Sequence, residues 1–172
     1  MEKEILNRLK PHLIDREGLR LTVYRDSLGK PTVGVGHLVT AKDGLEVGDT
    51  ITRGTAEIFL AQDATKAIKA AIIQAKEMGV SSIDFIVALA SVNFQLGTAW
   101  IKKFPNTWSF LRRGEYWQAI SNIEKSDWAK QTPVRVRDFV SAITILAHSK
   151  QPKNNVPKAG KVVKMNFNKK EK

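Results

Sequence analysis

Two carboxylates nine residues apart offer the clearest chemistry: Glu17 and Asp26, in the run Glu17-Gly18-Leu19-Arg20-Leu21-Thr22-Val23-Tyr24-Arg25-Asp26. A glycosidic bond is cut when one carboxyl group protonates the leaving oxygen and an ionised one activates water or attacks the sugar. Such a pair works only if the environments differ. Glu17 is expected at the end of a helix, where the negative pole of the helix dipole disfavours ionisation. A carboxyl kept protonated near neutral pH is what a general acid requires. Asp26 is expected in the turn Asp26-Ser27-Leu28-Gly29, solvated and therefore ionised. Either acid taken alone reads equally well as a solvated surface group.

The residues after the turn, Gly29-Lys30-Pro31-Thr32-Val33-Gly34-Val35-Gly36-His37-Leu38, add to the pattern. Read as one strand, Thr32, Gly34, Gly36 and Leu38 share a face, and Val33, Val35 and His37 share the other. One face suits a core. The other sets a hydroxyl beside two missing side chains, room for a bulky ligand to approach the backbone. Bulges or close strand packing explain the same glycines, and no helix start follows them to make a phosphate loop.

These residues need elements to hold them. Leu6, Leu9 and Leu13, with Ile5 and Ile14, predict an amphipathic helix over about 3–16, with Pro11 as a kink or second start and Gly18 just past its end. Alternation from Leu21 to Thr40 predicts a β-hairpin, and Asp43-Gly44 a turn into a third strand near Leu45–Val47. Thr52 is the expected N-cap of a long helix to about Ala75, and Ser82 the cap of a nearly all-apolar helix ended by Gly97. Shorter helices are expected at Trp108–Arg112 and Tyr116–Glu124. Thr132-Pro133 opens a last helix to about His148. The fold class is α+β, mainly α. It comprises a three-stranded sheet lobe over about 1–51, a connecting helix over about 52–76 and a helical lobe over about 77–148.

Composition narrows the classes. The 172 residues suit one domain or two small lobes sharing a core. There is no cysteine, which removes disulfides, thiolate metal sites and cysteine nucleophiles. With three histidines and no ligand-spaced cluster, neither a metal nor another cofactor is expected. No apolar run approaches the roughly 18 residues of a membrane span, and the N-terminus lacks a signal-like segment. The net charge is +11, of which Ser149–Lys172 carries +7 through eight Lys and one Glu. A basic chain seeks a polyanion, whether nucleic acid, anionic lipid or wall polymer. That segment has few large apolar residues and reads as a flexible basic tail, 149–172, after a domain over 1–148.

The segment Glu17–Leu38 resembles the catalytic motif of the phage-type lysozymes of glycoside hydrolase family 24. The likeness resumes at Ile51–Asp63 and from Asn93-Phe94-Gln95-Leu96-Gly97 to Trp128-Ala129-Lys130-Gln131-Thr132-Pro133. It covers most of 9–148 and implies a two-lobed lysozyme-like fold. It also implies cleavage of the β-1,4 bond between N-acetylmuramic acid and N-acetylglucosamine in peptidoglycan. By this resemblance Glu17 is the proton donor, Asp26 the second carboxylate and Thr32 a holder of the attacking water. Leu38, Phe94, Thr107 and Asn122 match cleft-lining positions, Thr107 replacing the serine of the T-even phage enzyme. Arg135 is placed near Glu17, although a cation in a helix's first turn is otherwise unfavourable. His37 is placed against Asp63 as a structural ion pair, where sequence alone reads an ordinary satisfied histidine.

Three rivals stand beside that reading. A lytic transglycosylase needs one Glu and releases an anhydro-sugar without water; Asp26 and Thr32 favour hydrolysis. A non-catalytic wall-binding module has no use for the complete Glu17, Asp26 and Thr32 set. A specific nucleic-acid binder lacks a recognition motif, and most of the charge lies in the tail. The expected protein is a monomer made in a bacterial cytoplasm. It reaches the periplasmic wall after another protein permeabilises the membrane, with the Lys-rich tail drawn to the anionic envelope.

Overall fold

The computed structural model describes residues 1–149. Eight helices and a three-stranded antiparallel sheet follow in the order α1 (Glu2–Glu17), β1 (Arg20–Arg25), β2 (Pro31–Gly34), β3 (His37–Leu38), α2 (Arg53–Glu77), α3 (Ile83–Leu96), α4 (Trp100–Lys103), α5 (Pro105–Arg113), α6 (Tyr116–Glu124), α7 (Asp127–Gln131) and α8 (Pro133–Ser149). This is the expected α+β, mainly helical, lysozyme-like arrangement. No described helix is long and apolar enough to cross a membrane.

The helix boundaries follow local chemistry. Thr52 Oγ1 accepts from the backbone N–H of Thr55 at 3.1 Å, and Ser82 Oγ from that of Phe85 at 3.4 Å, so both predicted N-caps satisfy a first-turn donor. Gly18 follows α1 at φ +75°, and its N–H returns to the Ile14 carbonyl at 2.9 Å. Pro11 neither breaks nor restarts α1, which runs through it. Ser149 is the last residue of α8, so the helix extends past His148 into the first residue assigned to the tail. The remainder of the tail lies outside the described residues.

The core explains how the helices stack. Ile5, Leu9 and Leu13 of α1, four residues apart, are fully buried. They pack with α2 and α3, so α1 shares the core of the helical part rather than standing with the sheet. α2 buries Ala64, Ala67, Ala71 and Ala75, a stripe of small residues against which α3 packs. Between the two helices Gln74 and Asn93 exchange side-chain amide hydrogen bonds at 2.8 and 3.1 Å. Trp100 Nε1 donates to Gln74 Oε1 at 3.3 Å. Buried amides are tolerated because they satisfy one another.

The sheet corrects two expectations. Thr32 to Leu38 is not one strand. Gly34 and Gly36 take φ of +66° and +70°, and the chain reverses between them into β3. Positive φ is costly for residues with a Cβ, so the Gly-Val-Gly run makes this reversal possible. Thr32 pairs with Leu38 and Val33 with His37, which keeps Thr32 and Leu38 on one face, as neighbours across strands. The third strand is therefore 37–38. Leu45–Val47 enters a turn in which Glu46 N–H donates to Asp49 Oδ2 at 2.8 Å. The chain meets β1 only afterwards, where Val23 N–H reaches Asp49 O and Ile51 N–H reaches Leu21 O, both at 2.8 Å.

Candidate active site

Glu17 is the last residue of α1, and its side chain keeps 28% exposure. Arg135, in the first turn of α8, is 9% exposed and donates from Nη1 to Glu17 Oε1 at 2.6 Å. A charge-assisted bond this short fixes the carboxyl group's position. Arg135 Nη2 donates to both the carbonyl oxygen and Oγ of Ser91 on α3, each at 3.1 Å. The guanidinium is thus braced on a third helix while it holds the acid. At the other carboxylate oxygen, a Cβ on Gly36 would lie 3.9 Å from Oε2. The turn between β2 and β3 therefore comes up against the carboxyl group.

Asp26 and Thr32 meet through one residue. Asp26 Oδ1 accepts from the backbone N–H of Leu28 at 2.9 Å and of Lys30 at 2.8 Å. The Asp26 N–H donates to Lys30 O at 2.9 Å, and Thr32 Oγ1 donates to the same carbonyl at 3.1 Å. Lys30's peptide groups therefore orient both side chains. Asp26 Oδ2 makes no hydrogen bond to another described residue. Thr32 is buried, and its hydroxyl hydrogen points to Lys30 O, which leaves oxygen lone pairs to accept a bond.

His37 is held from two sides. Its Nδ1 lies 2.7 Å from Asp63 Oδ2 on α2, and its Nε2 lies 3.4 Å from Asp43 Oδ2. The ring stacks on Phe59, centroids 4.1 Å apart. Asp43 also accepts from the Thr40 backbone N–H at 2.7 Å and from Thr40 Oγ1 at 2.8 Å. The Thr40 N–H, first, and His37 hold its carboxyl below the usual carboxylate range. These contacts tie the loop after β3 to the connecting helix.

Leu38 and Phe94 line a cleft of about 1050 Å³ with Gly36, Lys42, Asp63 and Lys66 among its other walls. Leu38 is 46% exposed. Thr107 is fully buried, and its hydroxyl donates to Asn122 Oδ1 at 2.7 Å, so Thr107 orients Asn122 and offers no surface of its own. Trp108 next to it belongs to the core, edge-on to Trp100 at 6.1 Å between centroids. Glu17, Arg135 and Gly36 thus form one cluster, Asp26, Lys30 and Thr32 a second, and Thr107 and Asn122 a third. Lys30's backbone, Ser91 and Asp43 were not singled out by sequence reasoning. Asp43 carried a weak signal in the Asp-Gly turn, whereas Ser91 lies inside an apolar run with nothing local to mark it.

A small antiparallel sheet beside a long helix, a helical body, and a carboxyl–guanidinium pair next to the cleft-lining Gly36 define a protein of the lysozyme class. Residues 15–140 match the phage lysozyme family model, and the chain belongs to that family. It is 28% identical over 140 residues to the peptidoglycan hydrolase gp36 of Pseudomonas phage phiKMV. That match covers 81% of this chain but only 15% of the phage protein. It is 26% identical over 160 residues to the probable T4-type lysozyme 2 of Dictyostelium discoideum, covering 80% of this chain and 94% of the relative. The pre-baseplate central spike protein Gp5 of Enterobacteria phage T4 is 28% identical over 141 residues, covering 69% of this chain and 24% of the relative.

Proposed function

We propose that the chain hydrolyses the β-1,4 bond between N-acetylmuramic acid and N-acetylglucosamine in peptidoglycan. Glu17 protonates the leaving glycosidic oxygen. A water molecule donates one hydrogen to Asp26 Oδ2 and the other to Thr32 Oγ1, which leaves its lone pairs directed at the anomeric carbon. As the water attacks, the carbon–oxygen bond to the leaving sugar breaks, and the water's proton passes to Asp26. Attack from the face opposite the leaving group inverts the anomeric centre, the outcome for carboxyl groups roughly 6.5–9.5 Å apart.

The observation that carries this reading is the shared anchorage of Asp26 and Thr32 on Lys30, which leaves one acceptor on each without a hydrogen-bond donor. An enzyme that uses the sugar's own hydroxyl as nucleophile needs no such water-holding pair. Leu38, Phe94 and Asn122 receive saccharide rings along the cleft, with Thr107 acting through Asn122. The domain spans 1–148, and the protein works as a monomer without cofactor. It is a lysis enzyme made inside the bacterial host that reaches the periplasmic wall once another protein permeabilises the membrane. The basic segment after His148 draws it to the anionic envelope at on the order of 1 kcal/mol per lysine near the surface, weakening with salt. Glu17→Gln tests the reading: turnover falls to background in a folded protein, and substantial lysis by that variant contradicts it.

A further inference from the structure

The brace behind Glu17 does not end at Ser91. His12, one turn and a half before Glu17 on α1, places Nε2 3.1 Å from Ser91 Oγ, the atom that accepts from Arg135 Nη2. A continuous chain of hydrogen bonds therefore runs from His12 through Ser91 and Arg135 to Glu17, and crosses three helices. Ser91 and Arg135 are buried, so water competes poorly for these links. The same Nε2 lies 3.8 Å from Asp138 Oδ2 on α8. Asp138 is in turn held by Arg16 at 2.7 and 3.0 Å. His12 thus stands between a hydroxyl that serves the acid and a carboxylate that does not.

We propose that His12 is a titratable positioning residue for the catalytic acid, which holds Arg135 on Glu17 when neutral and releases it when protonated. The proposal rests on the reading of Glu17 as the general acid. With Nε2 unprotonated, the Ser91 hydroxyl donates to it and presents a lone pair to Arg135 Nη2. Ser91 has one hydrogen, so its orientation is fixed by which neighbour needs it. A proton on Nε2 removes that acceptor and turns the ring into a cation beside the Arg135 guanidinium. The nearest carboxylate, Asp138, draws the ring away from Ser91. Only hydrogen bonds change; no covalent step is involved.

The charged surroundings define the working range. Arg16 and Asp15 face His12 from α1, Asp138 and Arg135 from α8, and α3 brings Ser91 and Asp84, which line a cavity of about 290 Å³ together with His12. Burial, first, and the two arginines lower the imidazole's proton affinity below its ordinary value, against the opposing pull of Asp138 and Asp15. His12 is therefore neutral at pH 7 and acquires its proton on the acid side.

The experiment combines nitrogen NMR of the wild-type protein with pH–rate profiles. As pH falls through the His12 transition, the Arg135 guanidinium resonances shift with the same midpoint. In Ser91→Ala the Arg135 shift no longer follows His12. His12→Gln keeps a hydrogen-bonding group that does not titrate. Its kcat at pH 7 stays within about twofold of wild type, and the acid limb of kcat loses one ionisation, that of His12. His148→Gln, at the exposed end of α8, retains that ionisation. His12→Leu lowers kcat about tenfold with KM little changed, as expected when a group near the chemistry is misplaced. Arg135 resonances indifferent to His12, or a His12→Gln profile that superimposes on wild type, overturn the proposal. Because the NMR arm needs no turnover, an active Glu17→Gln would refute the assignment of the acid and leave the His12–Arg135 coupling separately measured.

Discussion

Arg135 Nη1 lies 2.6 Å from Glu17 Oε1, while Nη2 of the same guanidinium holds both oxygens of Ser91. One planar group thus joins the end of α1, the start of α8 and the middle of α3. A lysine ammonium is a point charge on a flexible stem and cannot reproduce that fork. Arg135→Lys should therefore lose much of what Arg135→Ala loses, on the order of 10²-fold in kcat if the carboxyl moves by about 1 Å. A lysine variant with wild-type kcat and KM would show that charge alone suffices.

Asp138 supplies a pH test of stability. The Arg16 hydrogen bond, first, and its charge hold the Asp138 carboxyl below the usual carboxylate range. A depressed folded-state value means that the pair stabilises fully above the unfolded value, near pH 4, and loses its contribution as pH falls through the folded value. Arg16→Met should lower Tm at pH 7 and flatten the loss of Tm below about pH 4. Equal displacement of the Tm curve at every pH would contradict the linkage.

Gly36 joins the cleft wall to the acid. With φ at +70°, an alanine costs roughly 1–2 kcal/mol in backbone strain. Its methyl also enters the space 3.9 Å from Glu17 Oε2. Gly36→Ala should lose stability by that amount and activity by more than stability alone explains, measured on folded enzyme. Gly44→Ala, also at positive φ but with open space around its Cβ, supplies the control: similar destabilisation and unchanged turnover.

The His37–Asp63 contact joins β3 to α2, away from Glu17's own hydrogen bonds. Asp63→Asn should lower stability by a few kcal/mol at most, read as a chemical-denaturation midpoint, and leave kcat nearly intact. A folded Asp63→Asn protein without activity would move Asp63 from support to chemistry.

The sequence was most legible where the determinants are local. Thr52 and Ser82 announce helix starts because an N-cap is decided within three residues, and Gly18 marks the end of α1 for a similar reason. α4 and α7 escaped because one turn of helix has no periodicity to detect. Gly34 and Gly36 were read as gaps in a strand, when their positive φ values reverse it. The resemblance led to the Arg135–Glu17 and His37–Asp63 contacts across 118 and 26 residues. The extension to His12 joins positions 79 residues apart through a serine in an apolar helix. Neither residue type signals that partnership.

The most direct test is mass analysis of purified peptidoglycan digested by the wild-type chain and by Glu17→Gln. Hydrolysis gives fragments that end in reducing N-acetylmuramic acid and carry the mass of one added water at each cut, and the variant gives none. Fragments ending in anhydro-N-acetylmuramic acid, or an undiminished yield from Glu17→Gln, would contradict hydrolysis led by Glu17.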